Sequence, residues 1–262
     1  MLLALCTWSE VETYLKRSAG IIVPIGSTEQ HGPNGLIGTD AICAEVVGRG
    51  LGEAVDALVA PTIAVGMAQH HMAFPGTMTL RPSTFIQVVR DCVVSLAAHG
   101  FRRFYFVNGH GGNIAPVTSA FGEIYAETSM APRVAPEART SASGSSAGDN
   151  RGGIQCTLRN WWLRPPVVAL AKELYGEHEG LHATPSEVSL TQHVYPDHIK
   201  KAKMDPAPPA TLDFADAFDF RRRFPDGRMG SHPALSTPEH GKQFLDLVVA
   251  DLVKDYRKFV AA

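Results

Sequence analysis

The sequence predicts an α/β domain built on a mostly parallel sheet. Two largely apolar runs, Ile21-Ile22-Val23-Pro24-Ile25-Gly26 and Phe101 to Val107, each lead into a polar, glycine-bearing loop. Such runs fit strands buried on both faces, as parallel sheets have. Helical spacing of apolar residues recurs between them, and strands alternating with helices are the pattern of crossover connections. With 262 residues, 45% hydrophobic and 19% charged, the chain can bury one sizeable core, and a single domain over 1–262 is expected.

Taken in order, Ser9 with Glu12 has capping-box spacing and predicts a first helix over 9–18, stopped by Gly20. The strand at 21–26 follows, then a polar stretch from Ser27 to Thr39, then a helix from Asp40 to about Gly50. Ala57 to Pro61 is a second strand. Met67 to Pro82 is a loop holding the neighbours His70 and His71, and 83–99 is helical. The third strand runs into Asn108-Gly109-His110-Gly111-Gly112-Asn113, after which another helix begins. Residues 140–153 are small and polar and read as a flexible insert. Lys203 to Arg223 is weakly patterned and reads as a surface excursion. Ser236 to Val260 is a closing helix with Leu245, Leu247, Val248 and Leu252 on its apolar stripe.

Composition excludes several functions. Lys and Arg total 24 against 26 Asp and Glu, a net charge of -2, so no basic surplus exists to grip a phosphate backbone, and no nucleic-acid partner is expected. No apolar run approaches the ~20 residues of a membrane span. The apolar start, Met1 to Cys6, is too short for a signal-peptide core and lacks a basic leader. Four cysteines are scattered without a Cys-x-x-Cys pair. That argues against a thiolate zinc site or a disulfide framework and suits the cytoplasm.

Three clusters carry chemistry, and the first two sit directly after strands, where α/β sheets bind ligands. In Glu29-Gln30-His31 the outer residues are two apart, so on an extended segment both can face one site, with Asp40 at the start of the next helix. Carboxylate with imidazole is a ligand set that zinc, manganese and iron accept; solvated loop charges are the plain alternative. His110 lies among three glycines and two asparagines, which imply a tight turn with close backbone approach. No phosphate-cradling glycine motif occurs. The third cluster holds His182 and Glu187, each able to bind metal or move protons, with His178 and Glu179 read as solvated loop residues. His70 and His71, if extended, point opposite ways, so at most one faces any site.

Together these segments resemble the creatininase (creatinine amidohydrolase) family. The resemblance lies in Val23 to Pro33, Gly38-Thr39-Asp40, His71 with Phe74-Pro75-Gly76-Thr77, Asn108 to Asn113, His182-Ala183 with Glu187 and Ser189, and Gly230-Ser231-His232-Pro233 with Gly241. It implies a three-layer α/β/α sandwich with a two-metal site, loaded with Zn²⁺, Mn²⁺ or Fe²⁺. Glu29 and His110 would hold one ion, His31 and Glu187 the other, and Asp40 would bridge them. His182 would be the acid/base group, and His71 and Gly111 substrate contacts. The family's second ligand after the glycine-rich turn, a Glu two residues past the His, is Gly112 here, which makes Glu187 the candidate. Asn34, His70, Pro185 and Val188 also depart from the family's usual residues.

The implied activity is hydrolysis of a non-peptide C–N amide bond in a small molecule, a cyclic amide or formamide, by a homohexamer. A peptidase acting on a modified peptide is the rival within the family. A non-catalytic metal- or ligand-binding descendant is the rival outside enzymes, since fold does not fix function. A nucleotide-binding protein is disfavoured by the missing phosphate motifs.

Overall fold

The structure is a computed structural model that describes residues 1–130 and 153–261. The expected insert at 140–153 lies, but for Gly153, outside them. The sheet has four parallel strands, β1 (Gly20–Ile25), β2 (Leu58–Val59), β3 (Arg103–Asn108) and β4 (Gln155–Asn160), in the order β2-β1-β3-β4. Every residue of β1 is buried and all but the first of β3 are, as a strand covered on both faces requires.

Alternation along the strands feeds two cores. Ile21, Val23, Ile25, Phe104 and Phe106 point to one face and pack with α1 (Trp8–Leu15), α3 (Pro82–Ala98) and α4 (Ile114–Ser129). Ile22, Tyr105 and Val107 point to the other, against α2 (Thr39–Ala54), α5 (Pro165–Tyr175), α6 (Pro185–Val194) and α8 (Pro238–Ala261). The result is the expected three-layer α/β/α sandwich. Its helices begin on recognisable signals, with proline in the first turn of α3, α5 and α6.

Several expectations are adjusted. The first helix is capped by Thr7 with Glu10, not Ser9 with Glu12; Thr7-x-x-Glu10 has the same spacing and reaches the start of the helix sooner. The second strand shrinks to Leu58–Val59. The stripe of α8 is Gly241, Phe244, Val248, Leu252 and Tyr256, with Leu245 and Leu247 flanking it. The segment 203–223 is more than a surface excursion. It carries α7 (Ala217–Arg223), whose Phe220 is fully buried against Phe74, Phe214 and Phe224.

The order β2-β1-β3-β4 reverses direction between β1 and β3. The chain leaves β1 for one neighbour and later returns on the other side. Loops leaving the carboxyl ends of such a pair diverge and open a crevice. Ile25 pairs with Asn108, so the loop holding Glu29 and the loop holding His110 start side by side.

Candidate metal centre

Asparagines bind these two loops together. Asn108 Nδ2 donates to the main-chain oxygen of His110 at 2.7 Å, and its Oδ1 accepts from the His110 N–H at 3.1 Å. Asn113 Nδ2 donates to Gly26 O at 2.9 Å, across to the end of β1, and its Oδ1 accepts from Met67 N at 3.1 Å. The turn brings the β3 loop so near α2 that a Cβ on Gly109 would lie 2.1 Å from Asp40 O. This close approach is what the glycine-rich turn serves.

Glu29, His31, Asp40 and His110 converge, all buried. His31 Nε2 stands 2.9 Å from Asp40 Oδ1, and His110 Nδ1 stands 3.0 Å from Asp40 Oδ2. The far nitrogen of each ring faces a main-chain oxygen: His31 Nδ1 lies 3.1 Å from Glu29 O, and His110 Nε2 lies 3.0 Å from Met67 O. A carbonyl only accepts, so those nitrogens carry the hydrogens, and the nitrogens facing Asp40 are left for a proton or a metal. Metal-ligating histidines are held in this way. Glu29 Oε2 accepts from Ser27 Oγ at 2.8 Å and lies 3.3 Å from His110 Nε2.

The remaining oxygens test whether a metal fits. Glu29 Oε1 and Asp40 Oδ2 are buried, and among the described residues no donor but an imidazole faces either, His71 Nε2 at 3.2 Å from the first and His110 Nδ1 at 3.0 Å from the second. A buried carboxylate oxygen so short of donors is costly, and such atoms call for an explanation. Two triads, Glu29–His31–Asp40 and Glu29–His71–His182, each place their ligand atoms within 4.8 Å of one another. The donors are hard oxygens and borderline imidazoles, which suits divalent zinc, manganese or iron.

Glu187 is placed by the capping box of α6. Thr184 Oγ1 accepts from Glu187 N at 3.4 Å, and Thr184 N donates to Glu187 Oε1 at 2.5 Å. That same oxygen lies 3.8 Å from His31 Nε2. Glu187 thus faces His31 but stands outside both triads. Ala183, buried with φ +54, turns the chain sharply between His182 and this cap. A Cβ on Gly112 would meet His110 Nε2 and Met67 O, each at 2.4 Å, so this fold has no room for a side chain there.

Charge follows from this packing. Burial opposes a proton on His31, but Asp40, Glu187 and Glu29 outweigh it and raise the imidazole to about 10. Burial likewise opposes His110, which Glu29 and Asp40 raise to about 9. Burial would lift Asp40, yet His31 and His110 hold it well below the carboxylate range. Burial, with Asp40 beside it, pushes Glu187 up to about 7. His71 and His182 go the other way, kept neutral by burial and by neighbouring imidazoles.

His70 and His71 do not lie on an extended strand. Gln69–His71 is a single 3-10 turn, so their rings sit 4.0 Å apart instead of pointing opposite ways. His71 faces Glu29 Oε1 at 3.2 Å, while His70 packs on Phe214 and Phe220. A cavity of about 330 Å³ opens beside the cluster, lined by Asp40, His110, His182 and Glu187 on one side and by Trp162 and Leu181 on the other. Gly111 lines it too, with open space where a Cβ would stand. Glu179, read as a solvated loop residue, also lines the cavity and accepts from Ser186 Oγ. Gln30, Asn108 and Asn113 were not among the expected site residues. The signal for Gln30 was its place between two of them.

Comparison with known proteins identifies the family. The sequence matches the family described as creatininase, creatinine amidohydrolase, over residues 4–256. It is 34% identical over 157 residues to the mycofactocin precursor peptide peptidase of Mycobacterium ulcerans (strain Agy99), covering 56% of this chain and 60% of that protein. The match thus spans less than two thirds of that relative's length. It is 26% identical over 269 residues to the creatinine amidohydrolase of Pseudomonas putida, covering 96% of this chain and 94% of that one. The solved structure "Creatininase Mn" superposes with a TM-score of 0.81 at 24% identity over 100% of this chain and 99% of that one, a likeness of fold.

Proposed function

This chain belongs to the creatininase family of hydrolases, and from that premise we propose that it cleaves a non-peptide C–N amide bond, in a cyclic amide or a formamide, with two divalent metal ions as cofactors. The observation that carries the reading is the pair of buried carboxylate oxygens, Glu29 Oε1 and Asp40 Oδ2, which only imidazoles face among the described residues. In this reading Glu29 and His110 would hold one ion, His31 and Glu187 the other, and Asp40 would serve both. Support for the bridge comes from Asp40 itself, whose two oxygens face two different imidazoles.

Two such ions supply Lewis acidity, polarising the carbonyl and making water a nucleophile near neutral pH. His182 is neutral and 3.7 Å from Glu29 Oε1 through its Nδ1. It takes the proton of the attacking water and returns it to the leaving nitrogen, a contribution of about 10²–10⁴-fold. Gly111 leaves its side of the cavity open for the substrate, whereas His71 is buried against Glu29 and is not among the residues that line it. In the same reading the protein is a cytoplasmic homohexamer; its four free cysteines suit a reducing compartment. Among the described residues no helix is long and apolar enough to cross a membrane.

One observation favours the second reading, a peptidase acting on a modified peptide. The outer wall of the cavity is apolar, with Trp162, Leu163, Val168 and Leu181, more surface than a small polar ring needs. The metal-loaded protein should therefore be offered creatinine, a formamide and a short peptide in parallel. Turnover of the lactam or formamide alone supports the amidohydrolase, turnover of the peptide alone the peptidase. Turnover of none overturns both.

A further inference from the structure

We propose that Gln30 is a positioning residue that sets the tautomers of the site around Glu29, so that His71 presents an N–H and His182 a bare nitrogen to the same carboxylate oxygen. The role assigned to His182 rests on the hydrolytic reading above; the tautomers rest on hydrogen-bond geometry, for rings that carry one hydrogen each at the pH of the test.

Gln30 Nε2 lies 3.0 Å from His71 Nδ1, 2.9 Å from His182 Nε2 and 3.0 Å from Gly227 O. Its Oε1 accepts from the Gly32 N–H at 2.8 Å, which fixes which end of the amide is which. Two amide hydrogens cannot serve three neighbours. The tie is broken by the main chain of Gln30, whose carbonyl oxygen lies 2.8 Å from His182 Nε2. A carbonyl only accepts, so His182 Nε2 carries the hydrogen and donates it there. The amide nitrogen and that N–H are then two donors side by side, with no bond between them. Gln30 gives one hydrogen to Gly227 O and the other to His71 Nδ1, which must be the bare nitrogen of its ring.

Each neutral imidazole has one N–H. His71 therefore carries its hydrogen on Nε2, 3.2 Å from Glu29 Oε1, and His182 turns a bare Nδ1 toward the same oxygen at 3.7 Å. One residue thus anchors two rings, one through its side chain and one through its backbone. A bare nitrogen is what a group needs to accept a proton, and the His71 N–H cannot compete for that proton. Gly227 keeps the amide in place: with φ +88, it is where a Cβ would fall 1.8 Å from Gln30 Oε1.

The test is a two-bond proton–nitrogen correlation spectrum of the metal-free protein labelled with ¹⁵N-histidine, at about pH 8, above the ordinary imidazole range. His71→Asn and His182→Asn identify the signals. Both rings should appear as Nε2–H tautomers. Gln30→Met should move His71 toward a mixture and leave His182, anchored by the main chain, unchanged. Thr77→Val removes the 3.3 Å bond from Gln30 N to Thr77 Oγ1 and loosens the same loop; it should move neither. In the zinc-loaded protein, Gln30→Met should lower kcat roughly 10–100-fold with KM little changed, the usual loss on removing a residue that orients a site group.

An Nδ1–H tautomer of His182 in the wild type would overturn the proposal. So would a His71 signal unmoved in Gln30→Met, or moved as far by Thr77→Val. If Gln30→Met does not fold, the wild-type spectrum decides alone. Expected tautomers in a protein that hydrolyses no amide would support the positioning and refute the reaction.

Discussion

His110 Nδ1 lies 3.0 Å from Asp40 Oδ2, a buried oxygen that no other donor reaches among the described residues. Asp40 is the first acidic residue of α2 and His110 follows β3, so the contact joins the start of that helix to the loop after β3, across the reversal in strand order. Without a metal, a proton on His110 offsets that carboxylate from this side, as one on His31 does from the other.

The metal-free protein should accordingly lose stability as pH rises. His31 and His110 have folded-state pKa values raised to about 10 and about 9. Their contribution is whole below the unfolded value of about 6.5 and is lost as pH climbs through 9 to 10. Glu187, raised to about 7, acts in the same direction over a lower window, from its ordinary value upward. Calorimetry in chelator between about pH 6 and 10 should show a falling Tm. A Tm that rises across that range contradicts the charge assignment.

Metal loading should release protons. Both imidazoles hold a proton near neutral pH and must shed it to ligate, and Glu187, raised to about 7, holds part of another, so about two to three protons should leave per chain on saturation. Titration calorimetry in buffers of different ionisation enthalpy measures this number directly. A binding heat independent of buffer would mean that these histidines are not ligands.

Gly112 is expected to tolerate no side chain. Its Cβ would press on His110 Nε2 and Met67 O, and overpacking of this kind costs about 1–3 kcal/mol. Gly112→Ala should therefore lower Tm and reduce metal retention together. Full metal content in a stable Gly112→Ala protein would show that the turn can yield.

Ala183 holds φ +54 with a buried side chain. A left-handed alanine costs about 1–2 kcal/mol, a cost glycine avoids, though glycine gives back about half of the gain through its freer unfolded chain. Ala183→Gly should be within about 1 kcal/mol of the wild type, whereas Ala183→Val, branched at a left-handed and packed position, should be strongly destabilised. Urea denaturation distinguishes them; equal stability of the two variants would remove strain from the account.

Much of the frame was legible because it depends on local pattern. The apolar runs of β1 and β3 announce buried strands; Glu29, His31 and His110 stand shortly after them and Asp40 at the start of α2, at the carboxyl ends where α/β sheets bind ligands. What stayed hidden depends on distant contacts. β4, Gln155–Asn160, is half-buried and mixed in polarity, so it lacks the uniform signal of its neighbours. Phe220 looked like part of a polar excursion until its ring was seen edge-on against His71. Spacing alone sets His70 and His71 on opposite sides of an extended segment; a 3-10 turn, unmarked by glycine or proline, places them together. Gln30 contacts residues 41, 152 and 197 positions away, a relation that no spacing rule reports.

The central claim is that Glu29, His31, Asp40, His110 and Glu187 hold two divalent ions with Asp40 between them. Elemental analysis of the purified protein beside Asp40→Ala tests it most directly. About two zinc, manganese or iron ions per chain in the wild type, with both lost in a variant that remains folded, is the predicted result. A wild type that takes up no metal even on reconstitution, or a variant that keeps both ions, would contradict it.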